Sequence, residues 1–377
     1  MNRRTSKPTR LIVAASDTDP DMLYATGFWA PDPFIFLERD GKRTLVLSDL
    51  EIDRARKQAR ADEFVMFSEL EKEVQGKSKK PPPYEKVVAH FLKKRGVRSA
   101  IVPANFPLRY AEELAANRIR LRATNGLFWP ERETKSRREV QLMERALRIT
   151  EAGLRRALEV LKVSRPGRGK RLQWGGRPLT SEILRAEIDS AVLRAGGIPG
   201  GTIVAGGDQA CDPHERGHGP LYAESLIILD VFPRDAKTGY FGDMTRTVVR
   251  GRASEAQRKL WETVKAGQAL ALKTIKAGID GMTIHRAIQD LFARRGFPTE
   301  VRNGRRVGFF HGTGHGLGLE IHEQPRLQKT VLKEGQVLTV EPGLYYPGLG
   351  GARLEDVVLV TKTGCRILSR FPKQLEV

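Results

Sequence analysis

The chain has 377 residues, 40% hydrophobic and 29% charged, which excludes a disordered or fibrous protein and leaves room for two or three cored domains. Its two cysteines, Cys211 and Cys365, exclude a disulfide framework and point to a reducing compartment. A net charge of +20 raises the question of a polyanion partner such as nucleic acid, but no RNA-binding motif accompanies it, and an arginine-rich solvated surface is the preferred reading.

In chain order, Met1-Asn-Arg-Arg-Thr-Ser-Lys7 is basic, and the run Leu11-Ile-Val-Ala-Ala15 is too short for a signal-peptide core. No apolar run approaches the roughly 18 residues of a membrane span, so a cytoplasmic location without membrane contact is expected. Residues 9–125 read as one α/β unit. Phe34-Ile-Phe-Leu37 and Thr44-Leu-Val-Leu47 flank Asp40-Gly41, a hairpin signal. A helix is predicted around residues 84–94 and a strand at Ser99-Ala-Ile-Val-Pro103, after a solvated connection at Lys77-Ser-Lys-Lys-Pro-Pro-Pro83. A second unit begins near Arg132, so the domains are taken as residues 1–130 and 131–377. Val140, Met143, Leu147, Leu154, Leu158 and Leu161 recur at helical spacing. Residues 164–178, with five basic side chains, four glycines and no acid, read as an exposed loop. Helices follow at about 181–195, 254–277 and 283–295; Ser254 with Gln257 forms a capping box, and Gly296 stops the last. No short tandem repeat is present.

Five potential metal ligands lie in order along the second unit: Asp230, Asp243, His315, Glu341 and Glu355. Asp230 follows Ser225-Leu-Ile-Ile-Leu229, Glu341 closes Val337-Leu-Thr-Val-Glu341, and Glu355 opens Glu355-Asp-Val-Val-Leu-Val360. Carboxylates at the ends of buried strands need a cation or a donor network beside them. Four carboxylates bring about four negative charges, enough to balance two divalent cations, which points to a two-metal hydrolytic centre. Five of the seven histidines, His214, His218, His311, His315 and His322, fall among these acids, three of them in the Gly-rich run from His311 to His322. Glycines there let backbone approach an ion or substrate closely.

Four motifs then carry a family resemblance: Gly239-Tyr-Phe-Gly-Asp243-Met-Thr-Arg-Thr247, His311-Gly-Thr-Gly-His315, Val340-Glu341-Pro-Gly and Arg353-Leu-Glu355-Asp356. In this order they resemble the pita-bread metallopeptidases, and among them the prolidase and aminopeptidase P branch that cleaves Xaa-Pro bonds. Asp21-Met-Leu-Tyr-Ala-Thr-Gly27-Phe resembles part of the creatinase-type N-domain of those enzymes. The fold implied is an α/β N-terminal domain followed by an α+β pita-bread catalytic domain.

The resemblance implies that Asp230, Asp243, His315, Glu341 and Glu355 hold two divalent ions, Mn²⁺ by preference with Co²⁺, Zn²⁺ or Fe²⁺ tolerated, around a bridging hydroxide. Asp243 and Glu355 would bridge. Glu341 would act as general base, His322 as oxyanion donor, and His214 on the substrate side near the leaving nitrogen. His311 and Arg353 would support the substrate site, and Arg326 would hold the free carboxylate of a dipeptide; a structural ion pair is the other reading of Arg326. The substrate implied is a proline-containing peptide, and a homodimer is expected. Two departures stand out: Asp230 is followed by Val-Phe-Pro-Arg where the family has a small residue and Gly, and residues 164–178 are longer than expected. His218 and Cys211 read as a solvated loop residue and a packing residue. The alternative function is a catalytically silent module that uses the basic surface on nucleic acid or ribosomes.

Overall fold

The computed structural model describes residues 8–377, so the basic stretch from Met1 to Lys7 lies outside the described residues. The chain divides into two units, one ending at Pro130 and the other spanning Glu131–Val377.

The first unit is built on a six-stranded mixed sheet in the order Glu63–Met66, Lys42–Leu47, Phe34–Arg39, Arg10–Ala14, Ser99–Val102 and Arg120–Ala123. The apolar run after the N-terminus is an inner strand of this sheet, buried on both faces. Leu11 and Val13 join Val87, Val88, Phe91 and Leu92 of the helix Tyr84–Lys94 on one side. Ile12 joins Met22, Phe28, Phe36 and Trp129 on the other. Alternation at period two thus feeds two cores from one strand, each fully buried aliphatic side chain worth about 1.5–3 kcal/mol. The predicted hairpin forms, with Asp40 at φ 52° and Gly41 at φ 82°. Positive φ at both central residues is what the right-handed twist of the flanking strands requires.

The second unit opens with the long helix Arg137–Val163, started by a Ser136–Glu139 capping box. The helix Ser181–Arg194 packs on it. The helices Glu255–Thr274 and Gly281–Arg294 pack together over a core of Trp261, Val264, Ile288, Phe292, Leu338 and Val358. The Ser254–Gln257 box caps the first of these, as its spacing predicts. The helices cover an antiparallel three-stranded sheet, Ile203–Gly206, Leu226–Val231 and Met244–Val249, and a five-stranded sheet. The latter runs Glu323–Arg326, His315–Gly316, Val337–Val340, Asp356–Val360 and Cys365–Ile367. A hairpin, Gly343–Tyr346 with Gly350–Arg353, completes the unit.

One expectation is corrected. Residues 164–178 are not an irregular loop but a small antiparallel ribbon, Arg165–Pro166, Leu172–Trp174 and Arg177–Pro178. Leu172 is fully buried and anchors the ribbon, while the basic side chains stay in solvent.

Candidate metal centre and its cavity

Strand register brings the five candidate ligands to one place. Val340 pairs with Asp356, so Glu341, next along one strand, and Glu355, just before the other, leave the sheet side by side. Val231 pairs with Met244, so Asp243 stands beside the end of the strand that carries Asp230. Gly316 pairs with Leu338, which sets His315 beside the Glu341 strand. The His315 Nε2 atom lies 3.4 Å from Glu341 Oε1 and 3.7 Å from Asp243 Oδ2. One ligand atom each from Asp243, His315 and Glu355 fall within 4.8 Å of one another. A carbonyl can only accept, so the His315 Nδ1–H donates to the Gly316 carbonyl at 3.1 Å and the Nε2 lone pair is left facing the carboxylates.

The electrostatics show a site short of positive charge. Burial, and then repulsion from Glu355, Asp230 and Glu341, pushes the Asp243 carboxyl well above the usual carboxylate range. Burial followed by Glu341 and Asp230 does the same to Glu355. Burial lifts Glu341 to about 7 against the opposing charge of Arg353. Burial lowers His315 to about 3, which keeps its imidazole neutral and able to ligate. Asp230 makes the point by geometry: its Oδ2 accepts from Arg353 Nη2 at 2.7 Å, and its buried Oδ1 has no hydrogen-bond partner among the described residues. Four carboxylates and one neutral imidazole fit divalent cations.

A second layer of side chains holds this geometry. The Tyr345 hydroxyl donates to His311 Nε2 at 2.8 Å and accepts from Arg353 Nη1 at 3.0 Å. The His311 Nδ1–H is taken by the Gly312 carbonyl, so both ring nitrogens are committed. Thr245 donates to Glu355 Oε2 at 2.8 Å and accepts from Arg353 Nε at 3.2 Å. The buried Gln268 amide donates to the carbonyls of Val340 and Leu354, the residues just before Glu341 and Glu355, at 3.0 Å each. Arg246, also fully buried, pairs with Asp356 and donates to the Glu355 carbonyl. Sequence reasoning found His311 and Arg353 but missed Tyr345, Thr245, Arg246 and Gln268. Thr245 and Arg246 lie inside the Gly239–Thr247 motif, which was a usable signal. Gln268 and Tyr345 gave none beyond a polar atom in an apolar run.

Every candidate site residue lines one cavity of about 590 Å³. Asp230, Asp243, His315, Glu341, Glu355, Arg353 and His311 are joined there by His214, His322 and Arg326. The His322 ring packs edge-on to His315 at 4.5 Å, and partial burial, then Arg326 and His214, keep its imidazole below the ordinary histidine value. Arg326 pairs in register with His315 on the neighbouring strand. Ile203 pairs with Asp230, and Phe232 follows two residues on along the same face of the chain. With Phe310 they form an apolar wall. The cavity is therefore apolar beside Asp230 and cationic beside His315, where Arg326, Gln328 and Lys329 line it. His218 stays outside, exposed and 3.5 Å from Glu215. Cys211 is buried among Ile203, Ala205 and Tyr345, its thiol pushed up to about 12 chiefly by burial, as suits a packing residue.

Residues 141–362 match the model of metallopeptidase family M24. The chain belongs to this family. The M24 assignment makes it a metal-dependent peptidase. The Xaa-Pro dipeptidase of Pyrococcus horikoshii is 28% identical over 307 residues, covering 78% of this chain and 79% of that one. The prolidase structure from the same organism superposes with a TM-score of 0.78 at 26% identity, covering 98% of this chain and 95% of the other. The X-Pro aminopeptidase of Thermotoga maritima shares the fold, with a TM-score of 0.81 at 22% identity over 98% and 97% of the two chains. The second unit is thus the pita-bread domain of the M24 enzymes, preceded by an α/β domain. None of the described helices is long and apolar enough to cross a membrane.

Proposed function

We propose that this peptidase cleaves the bond between an N-terminal residue and a following proline in short peptides. The reading is carried by the convergence of four carboxylates, His315 and three further polar side chains, His214, His322 and Arg326, on one cavity. Similarity to proteins named Xaa-Pro dipeptidase and X-Pro aminopeptidase supports the proline preference. In this reading Asp230, Asp243, His315, Glu341 and Glu355 hold two divalent ions, with Mn²⁺ best suited to an oxygen-rich set with one imidazole. Bound ions would polarise the scissile carbonyl and make a water nucleophilic at neutral pH.

The chain's own residues do the rest. Glu341, kept ionised by the cations beside it, takes the proton of the attacking water. Neutral His322 donates an N–H to the carbonyl oxygen as it gains negative charge. The imide nitrogen of proline carries no hydrogen and must be protonated to leave, a task suited to exposed His214 on the substrate side. His311, Tyr345 and Arg353 hold Asp230 in place. The peptide's orientation follows from the polarity of the cavity. The N-terminal side chain lies against Ile203, Phe232 and Phe310, with the free amine near Asp230. A dipeptide's carboxylate meets Arg326, a bidentate cation suited to it.

A panel of matched Xaa-Pro and Xaa-Ala peptides, followed by product release, tests the reading. Cleavage of the proline peptides by at least about tenfold in kcat/KM, abolished by Glu341→Ala, is the expected result, as a positioned general base contributes about 10²–10⁴-fold. Preference for Xaa-Ala, or full activity in the variant, would overturn it. The silent-module reading has no supporting observation, since the full set of candidate ligands meets at one cavity.

A further inference from the structure

Glu323, next in sequence to His322, is a buried carboxylate for which the chemistry above has no use. Only 4% of it is exposed. Its Oε1 accepts from Arg132 Nη2 at 2.5 Å and from the backbone N–H groups of Leu319 at 2.8 Å and Glu320 at 3.2 Å. Its Oε2 accepts from Lys135 Nζ at 2.8 Å. Both cations are buried too, Arg132 at 2% and Lys135 at 8% exposure. Lys135 is itself tethered, its ammonium to the Arg132 carbonyl at 2.6 Å and its backbone N–H to the Gly335 carbonyl at 2.7 Å. Arg132 also pairs with Glu320 at 2.7 Å. By itself burial would raise the Glu323 carboxyl, but Lys135 and then Arg132 outweigh it and hold the group ionised below the usual range.

A buried charge cluster is a poor device for stability, because desolvation offsets most of the attraction, but it fixes geometry tightly. Here the geometry fixed is that of one loop. By bonding the backbone of residues three and four positions earlier, the carboxylate closes residues 319–323 on themselves, and the two cations pin the closed loop to residues 132–135. His322 is carried on that loop, and among the described residues no hydrogen bond from its own ring to protein sets its direction. Gly318 fits the same design: a Cβ there would stand 2.6 Å from the Glu323 carboxylate oxygens, so the residue must be small for the carboxylate to seat.

We propose that Glu323, clamped by Arg132 and Lys135, is a positioning residue that aims His322 at the scissile carbonyl. The inference rests on the reading of His322 as a participant in turnover. It is tested with the full metal-loaded protein by a double-mutant cycle. Glu323→Gln and Gly318→Ala are each made with His322 intact and together with His322→Ala, and kcat and KM are measured on an Xaa-Pro peptide. His322→Ala alone should lower kcat by about 10²–10³-fold, the usual cost of an oxyanion donor. Each loop variant should lower kcat by about tenfold or more with KM within about threefold, since roughly 1 Å of misplacement suffices for such a loss. On the His322→Ala background the same changes should cost less than about twofold, because their target is gone. Equal loss on both backgrounds, or wild-type kcat in a folded loop variant, would overturn the proposal while leaving the role of His322 standing. No effect of His322→Ala itself would overturn both. Should Glu323→Gln fail to fold because the buried Lys135 loses its carboxylate partner, Gly318→Ala carries the cycle, because it displaces the carboxylate without removing a charge.

Discussion

Replacing Gly314 by Ala is a sharp test of how the site is built, because the clash it creates lies in backbone. An added methyl group would sit 1.9 Å from the Thr339 carbonyl oxygen and 2.8 Å from its carbon. Ordinary contact needs about 3.5 Å, so the two strands must part by roughly 1.5 Å. Neither can give freely. The Thr339 hydroxyl accepts from the His315 N–H at 3.0 Å and lies 3.3 Å from Glu341 Oε1, so parting the strands moves two candidate ligands away from each other. Overpacking of this kind costs about 1–3 kcal/mol; 2 kcal/mol in a unit of this size lowers Tm by about 4–8 °C. A displacement above 1 Å should also reduce kcat by about 10²-fold. Gly312→Ala, two residues earlier in the same motif, is the control. Its methyl would meet the end of the Gln328 side chain at 2.5 Å, which can swing aside. That variant should lose less than about 2 °C and less than about threefold in kcat, because only a rotamer change is required. Differential scanning fluorimetry and steady-state kinetics on both proteins decide the matter. Equal losses in the two variants, or a wild-type Gly314→Ala protein, would refute the argument.

Further outcomes are expected. Arg326→Ala should cut kcat/KM on Xaa-Pro dipeptides by about 10–100-fold, the value of a charge-assisted bond, yet spare tripeptides within about threefold; equal losses would mark Arg326 as structural. Phe232→Ala should shrink the preference for Leu-Pro over Gly-Pro by about tenfold, as expected for one lost apolar wall, and an unchanged ratio would remove Phe232 from the specificity surface. Chelated protein should become less stable as pH rises from about 5 to 7. The sign follows from Glu341, whose carboxyl is raised from 4.5 to about 7 in the folded chain: the folded state holds a proton that the unfolded state has released, so stability falls across that window. Asp243 and Glu355, shifted the same way, add to the slope. Added metal should remove the dependence, and a Tm that rises with pH in chelated protein would contradict the assignment.

Much of the site could be read before the fold was known, because its chemistry and its folding pattern share residues. Carboxylates that end or open apolar runs, such as Asp230 after Leu226-Ile-Ile-Leu229 and Glu355 before Val357-Val-Leu-Val360, cannot be ordinary core positions. Local signals also sufficed for the Asp40-Gly41 hairpin and the Ser254–Gln257 cap, since both depend on a few adjacent residues. The ribbon within residues 164–178 was not legible. Its strands are two or three residues long, too short for alternation to show, and glycine with arginine resembles a solvated loop. Longer-range features were hidden for a different reason. Glu323 meets Arg132 and Lys135 from about 190 residues away, and Gln268 reaches two carbonyls on separate strands. No periodicity links such partners, so only the folded chain reveals them. The sequence did disclose the candidate ligands that line one cavity; it did not disclose the side chains that hold them in position.

The most direct test of the central claim is a titration of chelator-stripped protein with Mn²⁺ while the initial rate of Xaa-Pro hydrolysis is followed. Activity should rise from near zero and break at about two equivalents per chain, as expected for a two-metal hydrolytic centre. The Asp243→Asn protein should show neither the break nor the rate. Hydrolysis that survives metal removal, or two equivalents bound without any cleavage of Xaa-Pro peptides, would contradict the account.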